Sequence, residues 1–494
     1  MEGVRMTVLA GIPGQRALER RFRFSGNGTT LGRDTMAGVT TFIVMSYIIF
    51  VNPAILTFAG VEGLEGTGLP FDGVLASTCL VAGVMTILMG LVTNRAYAIA
   101  PGLGLNAVVA FTLVATEGLG FPEAMGIVVL EGALVTLLVV LGMRERVMAA
   151  IPLELKKAIA IGIGLFIAFI GLVNSGLVIR GEGTPVTLAD FTTWPILVVV
   201  FGLVLTVGLR AVGFRGDLLV GIIATTAFAT LVNWGTDYTA FTQPGVARWP
   251  EDIAQSPNLG LVGEFSFDAF ATIGVVTTLS FVFSLFLADF FDTMGTLVGV
   301  GKQAGYLTKE GELPGIRKPL LVDSVAAMAG GAASASSATT YIESGAGVGV
   351  GGRTGWVSVV TGALFFPFMF FAPLIGMVPA QATAPALIIV GWLMITALTE
   401  AEERAESEGA RVERKLAGID FHDFAIGLSA ALTIMVMPFS YSITNGIGFG
   451  FIAYVIIRIA QGEWQRVHPL MYVAAASFQL YFLIPLLQDN LSWI

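Results

Sequence analysis

Two aspartates three residues apart, Asp289 and Asp292, stand in a stretch that is otherwise free of charge from Ala269 to Gly301. A third carboxylate, Glu343, sits within GGAASASSATTYIESGAGVGVGG (330–352), where 18 of 23 residues are Gly, Ala, Ser or Thr. Carboxylates in such surroundings can accept hydrogen bonds from a ligand, hold a cation or take up a proton, because removal from water favours the neutral form. Asp289 and Asp292 share one helix face, so at most one points straight at a small ligand while the other supports it or carries the proton. Asp292 is assigned to the ligand and Asp289 to the supporting role. Asn106 ends a second interrupted stretch, AIAPGLGLN (98–106), and offers both a donor and an acceptor. Thr340 and Ser344, beside Tyr341 and Glu343, add hydroxyls. With the main-chain amides of a broken helix, this set suits a flat, neutral, hydrogen-bonding heterocycle better than an anion.

The elements that carry these groups belong in a membrane. Hydrophobic residues make up 55% of the 494 and charged residues 12%, with mean hydropathy +0.83, against roughly 25% charged in soluble domains. Charge-free runs recur along the chain, and 354–400 and 424–457 are each long enough to cross about 30 Å of hydrocarbon twice. An ionisable residue inside a bilayer costs about 2.5 kcal/mol or more, so Asp289, Asp292 and Glu343 are expected to face a polar cavity. Residues 1–33 are polar and hold six Arg, so no cleavable signal peptide is expected. The single cysteine, Cys79, excludes a disulfide framework, and no Cys/His cluster offers a transition-metal site. A net charge of −9, carried largely in loops, predicts no nucleic-acid partner.

Fourteen crossings are predicted, centred near residues 46, 82, 106, 134, 164, 201, 226, 284, 327, 342, 364, 389, 431 and 451. With the N-terminus cytoplasmic, 24 of the 26 Lys and Arg fall at cytoplasmic ends or loops, and only Arg180 and Arg248 fall outside. The acidic loop 237–268 is then external, and the charge-rich insert 399–421 is cytoplasmic. The tail 461–494 is apolar over His468–Leu487 and predicts a peripheral helix rather than a fifteenth span. VVLEGAL (128–134) is echoed by SVVTGAL (358–364), about 230 residues on. Seven crossings per half is an odd number, so the halves have opposite orientations, as in transporters built from inverted repeats. In that architecture paired Gly/Pro-interrupted segments mark the binding site, and those segments here are 98–106 and 330–352.

Other polar residues carry weaker signals. Glu131 lies in mid-crossing and could bond a neighbouring helix. Asp323 follows Lys318-Pro319 and could cap a helix or support the pocket. Tyr441 and Asn445 read as structural, and His422 and His468 as solvated boundary residues. An enzyme using Asp289-x-x-Asp292 as a Mg²⁺ site is a competing reading, with Lys302 as a thin candidate for a phosphorylated substrate.

The stretches GRDTMAGVTTFIVMSYIIFVNPAIL (32–56), AIAPGLGLNAVVAF (98–111), LFLADFFDTMGTLVGVGKQAG (285–305), SSATTYIESGAGVGVGGRTG (336–355) and MPFSYSITNGIGFGFIAYVI (437–456) closely resemble the AzgA-like branch of the nucleobase–cation symporter-2 superfamily. Members of this branch are adenine, guanine and hypoxanthine permeases. The resemblance implies an all-α polytopic protein of fourteen segments in 7+7 inverted repeats, with short strands and half-helices at segments 3 and 10. It implies a core domain from 33–147 and 269–377 and a gate domain from 148–236 and 378–460, after an N-terminal segment 1–32. It places the binding carboxylates on Asp292, with Asp289 beside it, and on Glu343, the segment-3 asparagine on Asn106, and an acidic residue affecting function on Asp323. With Ser344 and Thr340 these form the candidate substrate-binding set, Asp323 apart, and proton coupling is expected on Asp292, Glu343, Asp289 and Asp323. It implies a proton-coupled purine importer in the cytoplasmic membrane, with the proton as coupling ion and no other cofactor. Homodimers are common among such proteins. The motifs leave open which purine is preferred, and uracil, xanthine or anion transport on the same fold remains an alternative.

Overall fold

In the computed structural model, residues 15–490 are described apart from 62, 65, 143–149, 244, 309–312 and 404–417. The N-terminal segment before Gln15 and most of the expected cytoplasmic insert 399–421 therefore lie outside the described residues. A short α1 (Gln15–Phe22) precedes α2 (Leu31–Met45), α3 (Ile48–Leu56) and α4 (Phe71–Thr93). Then follow β1 (Ile99–Pro101), α5 (Leu103–Ala107), a π-helical continuation over Val108–Thr116, and α6 (Phe121–Val140). Next come α7 (Leu153–Asn174), a hairpin of β2 (Val178–Ile179) and β3 (Thr187–Leu188), α8 (Trp194–Ala211), α9 (Asp217–Gly235), α10 (Ala269–Thr272) and α11 (Val275–Ala304). The remainder is α12 (Arg317–Ala332), β4 (Ala338–Thr340), α13 (Ser344–Gly349), α14 (Gly355–Phe365), α15 (Ala372–Gly376), α16 (Ala380–Glu403), α17 (Phe424–Phe439), α18 (Ile443–Ala460) and α19 (Pro469–Asn490).

Most long helices are apolar on every side, as expected where one face meets protein and the other meets lipid. Large apolar side chains such as Trp194, Val204, Leu231 and Trp234 stand exposed on the outer surface. Among the described residues eight helices are long and apolar enough to cross a bilayer, so length alone does not reach fourteen crossings. Shorter apolar helices, including Leu103–Thr116, Gly355–Phe370, Ala380–Thr396 and Phe424–Phe439, lie at other predicted centres. The predicted run from Ala269 is not one helix. Gly274 adopts φ +81 and separates α10 from α11.

Two groups of helices pack chiefly within themselves. One comprises α2–α6 with α11–α14, and the other α7–α9 with α16–α18. Small residues let the backbones meet, as is usual between membrane helices. A Cβ on Gly90 of α4 would lie 2.3 Å from the Gly355 carbonyl at the start of α14. Gly164 of α7 and Gly391 of α16 approach as closely, with a Cβ on Gly391 2.3 Å from the Gly164 carbonyl. Asp34 fastens the α14 start from the other side, accepting from the Thr354 amide at 3.0 Å and from Thr29 Oγ1 at 2.6 Å.

The loop 237–268 is held rather than loose. Its amides at Ala247 and Gln255 donate to the Met377 and Phe370 carbonyls at 2.8 Å each. Its Gly263 and Ser266 amides donate to Ala332 and Pro122 at 2.7 and 2.8 Å. The C-terminal α19 packs along α18 and α11, and an apolar cavity of about 470 Å³ opens between its Met471–Leu480 face and Val276–Phe283 of α11. None of the predicted ligand-binding residues lines that cavity.

Candidate functional site

Segments 98–106 and 330–352 meet. Strands β1 and β4 pair antiparallel in the register Ile99↔Thr340, Ala100↔Thr339 and Pro101↔Ala338. Proline lacks an amide donor and is tolerated only at such a short edge. The next residue takes over, with the Gly102 amide donating to the Ser337 carbonyl at 2.8 Å. At the other end the Tyr341 amide donates to the Ala98 carbonyl at 2.9 Å. Each strand leads into a short helix, with Asn106 inside α5 and Glu343 just before α13.

Glu343 precedes α13 and is 8% exposed. The Tyr47 hydroxyl, from the break between α2 and α3, donates to its Oε1 at 2.7 Å. Tyr341 stacks loosely with Tyr47 at 6.5 Å between centroids, and its hydroxyl donates to the Pro101 carbonyl. The expected free amides at this helix start are not free. Ser344, Gly345 and Ala346 donate to the carbonyls of Tyr341, Ile342 and Glu343 at 3.2, 2.9 and 2.9 Å. The segment closes its own first turn because a tight turn at Ile342 and Glu343 precedes the helix.

Asp292 is only partly buried and lies close enough to Glu343 and Asp323 to feel their charge. Asp289, one helical turn back on α11, is fully buried. The pair predicted from spacing is thus divided between a semi-open position and a closed one. Among the described residues no group of three or more His, Cys, Asp or Glu is arranged to hold a metal ion.

Asn106 is also fully buried. Its Nδ2 donates to Asn52 Oδ1 at 2.8 Å, while its own Oδ1 has no hydrogen-bond partner. Asn52 donates in turn to Thr78 Oγ1 at 2.8 Å and to the Ala335 carbonyl at 3.1 Å. A buried acceptor left open costs about 1–3 kcal/mol, so this oxygen is a natural place for a donor supplied by a ligand.

Asp323 does not cap a helix. It lies inside α12, whose N-cap is Ile316. Its Oδ1 accepts from the Thr340 amide at 2.8 Å and the Thr340 hydroxyl at 2.6 Å, and its Oδ2 accepts from Thr293 Oγ1 at 2.6 Å. Thr293 also bonds Thr339 Oγ1 at 2.7 Å. Asp323 therefore braces β4 against α11, with the Thr340 hydroxyl committed to that brace. The Ser344 hydroxyl is similarly engaged, donating to the Tyr341 carbonyl at 2.6 Å and accepting from the Ala98 amide at 2.9 Å.

Sequence alone does not single out Tyr47, Asn52, Thr293 or Thr339. Asn52 carried the same signal as Asn106, an amide inside the apolar run 35–61, whereas a tyrosine or threonine in a membrane helix announces nothing. Tyr441 is structural as expected. It adopts φ +53, and Phe111, Phe166 and Phe169 surround its ring at 5.3–5.8 Å. His422 and His468 lie at helix boundaries away from the crossing, and His468 Nδ1 accepts from the Leu470 amide at 3.2 Å.

Known proteins bear on this arrangement. Residues 32–412 match the model of a permease family. The adenine permease AdeQ of Escherichia coli (strain K12) is 36% identical over 467 residues, covering 94% of this chain and 96% of that protein. The guanine/hypoxanthine permease PbuG of Bacillus subtilis (strain 168) is 36% identical over 468 residues, covering 94% and 98%. Among solved structures, the transmembrane domain of a cyanobacterial bicarbonate transporter, BicA, shares the fold with a TM-score of 0.55 at 15% identity, covering 83% of this chain and 96% of that one.

Proposed function

Because the chain belongs to this permease family, we propose that it is a proton-coupled symporter importing purine nucleobases: adenine, guanine or hypoxanthine. It is a multi-pass integral membrane protein and a permease, not an enzyme. One observation carries the choice of substrate and mechanism. Asp292 lies within electrostatic reach of Glu343, which follows β4 where that strand pairs with β1, and the open Asn106 Oδ1 lies on the segment that follows β1. A purine edge presents N–H donors and ring-nitrogen acceptors in one plane. Carboxylate oxygens would take the donors, the Asn106 oxygen another, and Tyr47 and Tyr341 would supply flat apolar surface.

Two carboxylates held this close repel, and one proton relieves the repulsion. Binding of proton and purine together is therefore favoured over either alone, which couples import to a proton gradient. Asp292 or Glu343 takes the proton from outside, with Asp289 and Asp323 as supporting groups, and releases it inside. No organic cofactor or metal is required.

The moving parts follow the two packing groups. The core is formed by 33–147 and 269–377, the gate by 148–236 and 378–460, and the core slides past the gate in an elevator-like cycle. Helix pairing supports a 7+7 inverted repeat. Exchanging the halves maps the pair α6–α12 onto α14–α4 and α8–α16 onto α17–α7, while α7–α16 and β1–β4 map onto themselves, and all of these pairs are in contact. The cytoplasmic N-terminus rests on the Lys/Arg distribution, and a homodimer is expected by likeness to relatives.

Uptake of labelled hypoxanthine, competed by adenine, guanine, xanthine and uracil with and without a protonophore, tests the proposal. Inhibition by purines and collapse of uptake with the protonophore are expected. Uptake indifferent to the protonophore, or blocked by uracil and not by purines, would overturn it.

A further inference from the structure

One buried carboxylate has no part in the ligand site or its proton. Glu131 lies in the middle of α6 and is fully buried. It reaches the strand crossing because α6 and α12 touch almost backbone to backbone. A Cβ on Gly132 would lie 2.5 Å from the Met328 amide, and one on Gly331 would lie 2.9 Å from the Val129 amide. This contact delivers the Glu131 carboxylate to Ser337, whose hydroxyl donates to Oε2 at 3.2 Å.

Ser337 is the junction of both half-helix segments. Its carbonyl accepts from the Gly102 amide at 2.8 Å, and the Gly102 carbonyl accepts from the Asn106 amide at 2.9 Å. Immediately before it, Ser334 and Ser336 hold left-handed conformations at φ +54 and +71, which non-glycine residues rarely adopt. Such a turn persists only where its surroundings over-determine it. A Cβ on Gly330 would meet the Ser336 carbonyl at 2.0 Å, so the end of α12 presses on the turn from one side. Asp323 braces the far end of β4 at Thr340, and Glu131 is the carboxylate that braces the near end.

We propose that Glu131 is a positioning residue for transport, holding Ser337 so that the Gly102–Asn106 and Thr340–Glu343 segments meet a ligand in the correct register. This rests on the purine-symporter reading for its substrate but not for its geometry. The group acts as a hydrogen-bond acceptor, so its charge is dispensable and Gln serves.

The test compares Glu131→Ala, Glu131→Gln and Ser337→Ala with the parent protein at matched membrane abundance. Removing one buried hydrogen bond at a site where register sets affinity raises KM for hypoxanthine uptake about tenfold in Glu131→Ala and Ser337→Ala, with maximal rate within about twofold. Glu131→Gln restores the parental KM, and the double alanine variant is no worse than either single one. Hydrogen–deuterium exchange of the purified protein adds a readout that needs no substrate. Exchange over residues 334–341 rises in the alanine variants and stays parental in Glu131→Gln. Parental exchange and parental KM in Glu131→Ala would overturn the proposal, as would a Glu131→Gln variant as impaired as Glu131→Ala. Absence of purine uptake in the parent protein would instead sink the functional reading, and the exchange result would still decide the role of Glu131.

Discussion

The two half-helix segments share a backbone design and differ in almost everything else. The first, β1 with α5, offers a neutral amide, Asn106, and is supported by one further amide, Asn52. The second, β4 with α13, offers Glu343 and is supported by two buried carboxylates, Asp323 and Glu131, and by the Tyr47 hydroxyl. A neutral hydrogen-bonding group can be buried with one partner, whereas an acid must be surrounded by donors or left a route to a proton. The comparison teaches that one segment supplies shape and a fixed acceptor, while the other supplies charge and the machinery that tolerates it.

The largest effects should come from the charged segment. Hydrogen bonds to ionised groups are worth about 1.5–3 kcal/mol, so Asp292→Asn and Glu343→Gln should each lower the kcat/KM of purine uptake by roughly 10- to 150-fold. Uptake by either variant at the parental rate would erase the distinction between the segments. Backbone packing should differ in the same sense. A Cβ on Gly347 of α13 would meet Thr41 Oγ1 at 2.2 Å and the Ala37 carbonyl at 2.6 Å, whereas one on Gly102 meets only side-chain ends at 3.0 Å. Overpacking typically costs about 1–3 kcal/mol, so Gly347→Val should lower the thermal midpoint of the purified protein by several degrees and Gly102→Ala by much less. Equal shifts would show that the two half-helices are equally confined.

On the neutral segment, Asn106→Ala should raise KM about fivefold to tenfold, because it removes the open acceptor and strands Asn52 Oδ1. Tyr47→Phe should have the smallest effect, about fivefold in KM, since Glu343 loses one neutral donor and keeps its place. If Tyr47→Phe proved as damaging as Glu343→Gln, the tyrosine would belong among the groups that touch the ligand.

Much of this was legible along the chain. Asp292, Glu343 and Asn106 were each marked by polarity inside an apolar or Gly-rich run, and in a bilayer that expense implies a purpose. The helix starts were also legible in places. Asp423 and Ser442 cap α17 and α18 through their side chains, as their types predict. Asp323 has the residue type of a cap and stands near the start of its run, yet the helix has already begun at Arg317. The amides that open α13 are expected from sequence to await a ligand, but the turn before the helix supplies their acceptors, and turn geometry in a Gly/Ser-rich stretch has no single sequence signature.

What the sequence determined alone was the solvent, the location of the costly charges, and the pairing of two interrupted segments, since each follows from hydropathy and local backbone chemistry. What only the tertiary structure decided was which groups meet. The roles of Glu131, Asn52 and Tyr47 depend on contacts between residues 206, 54 and 296 positions apart. Such contacts are set by glycine-permitted helix approach and strand register, properties of the packed chain that no local pattern encodes.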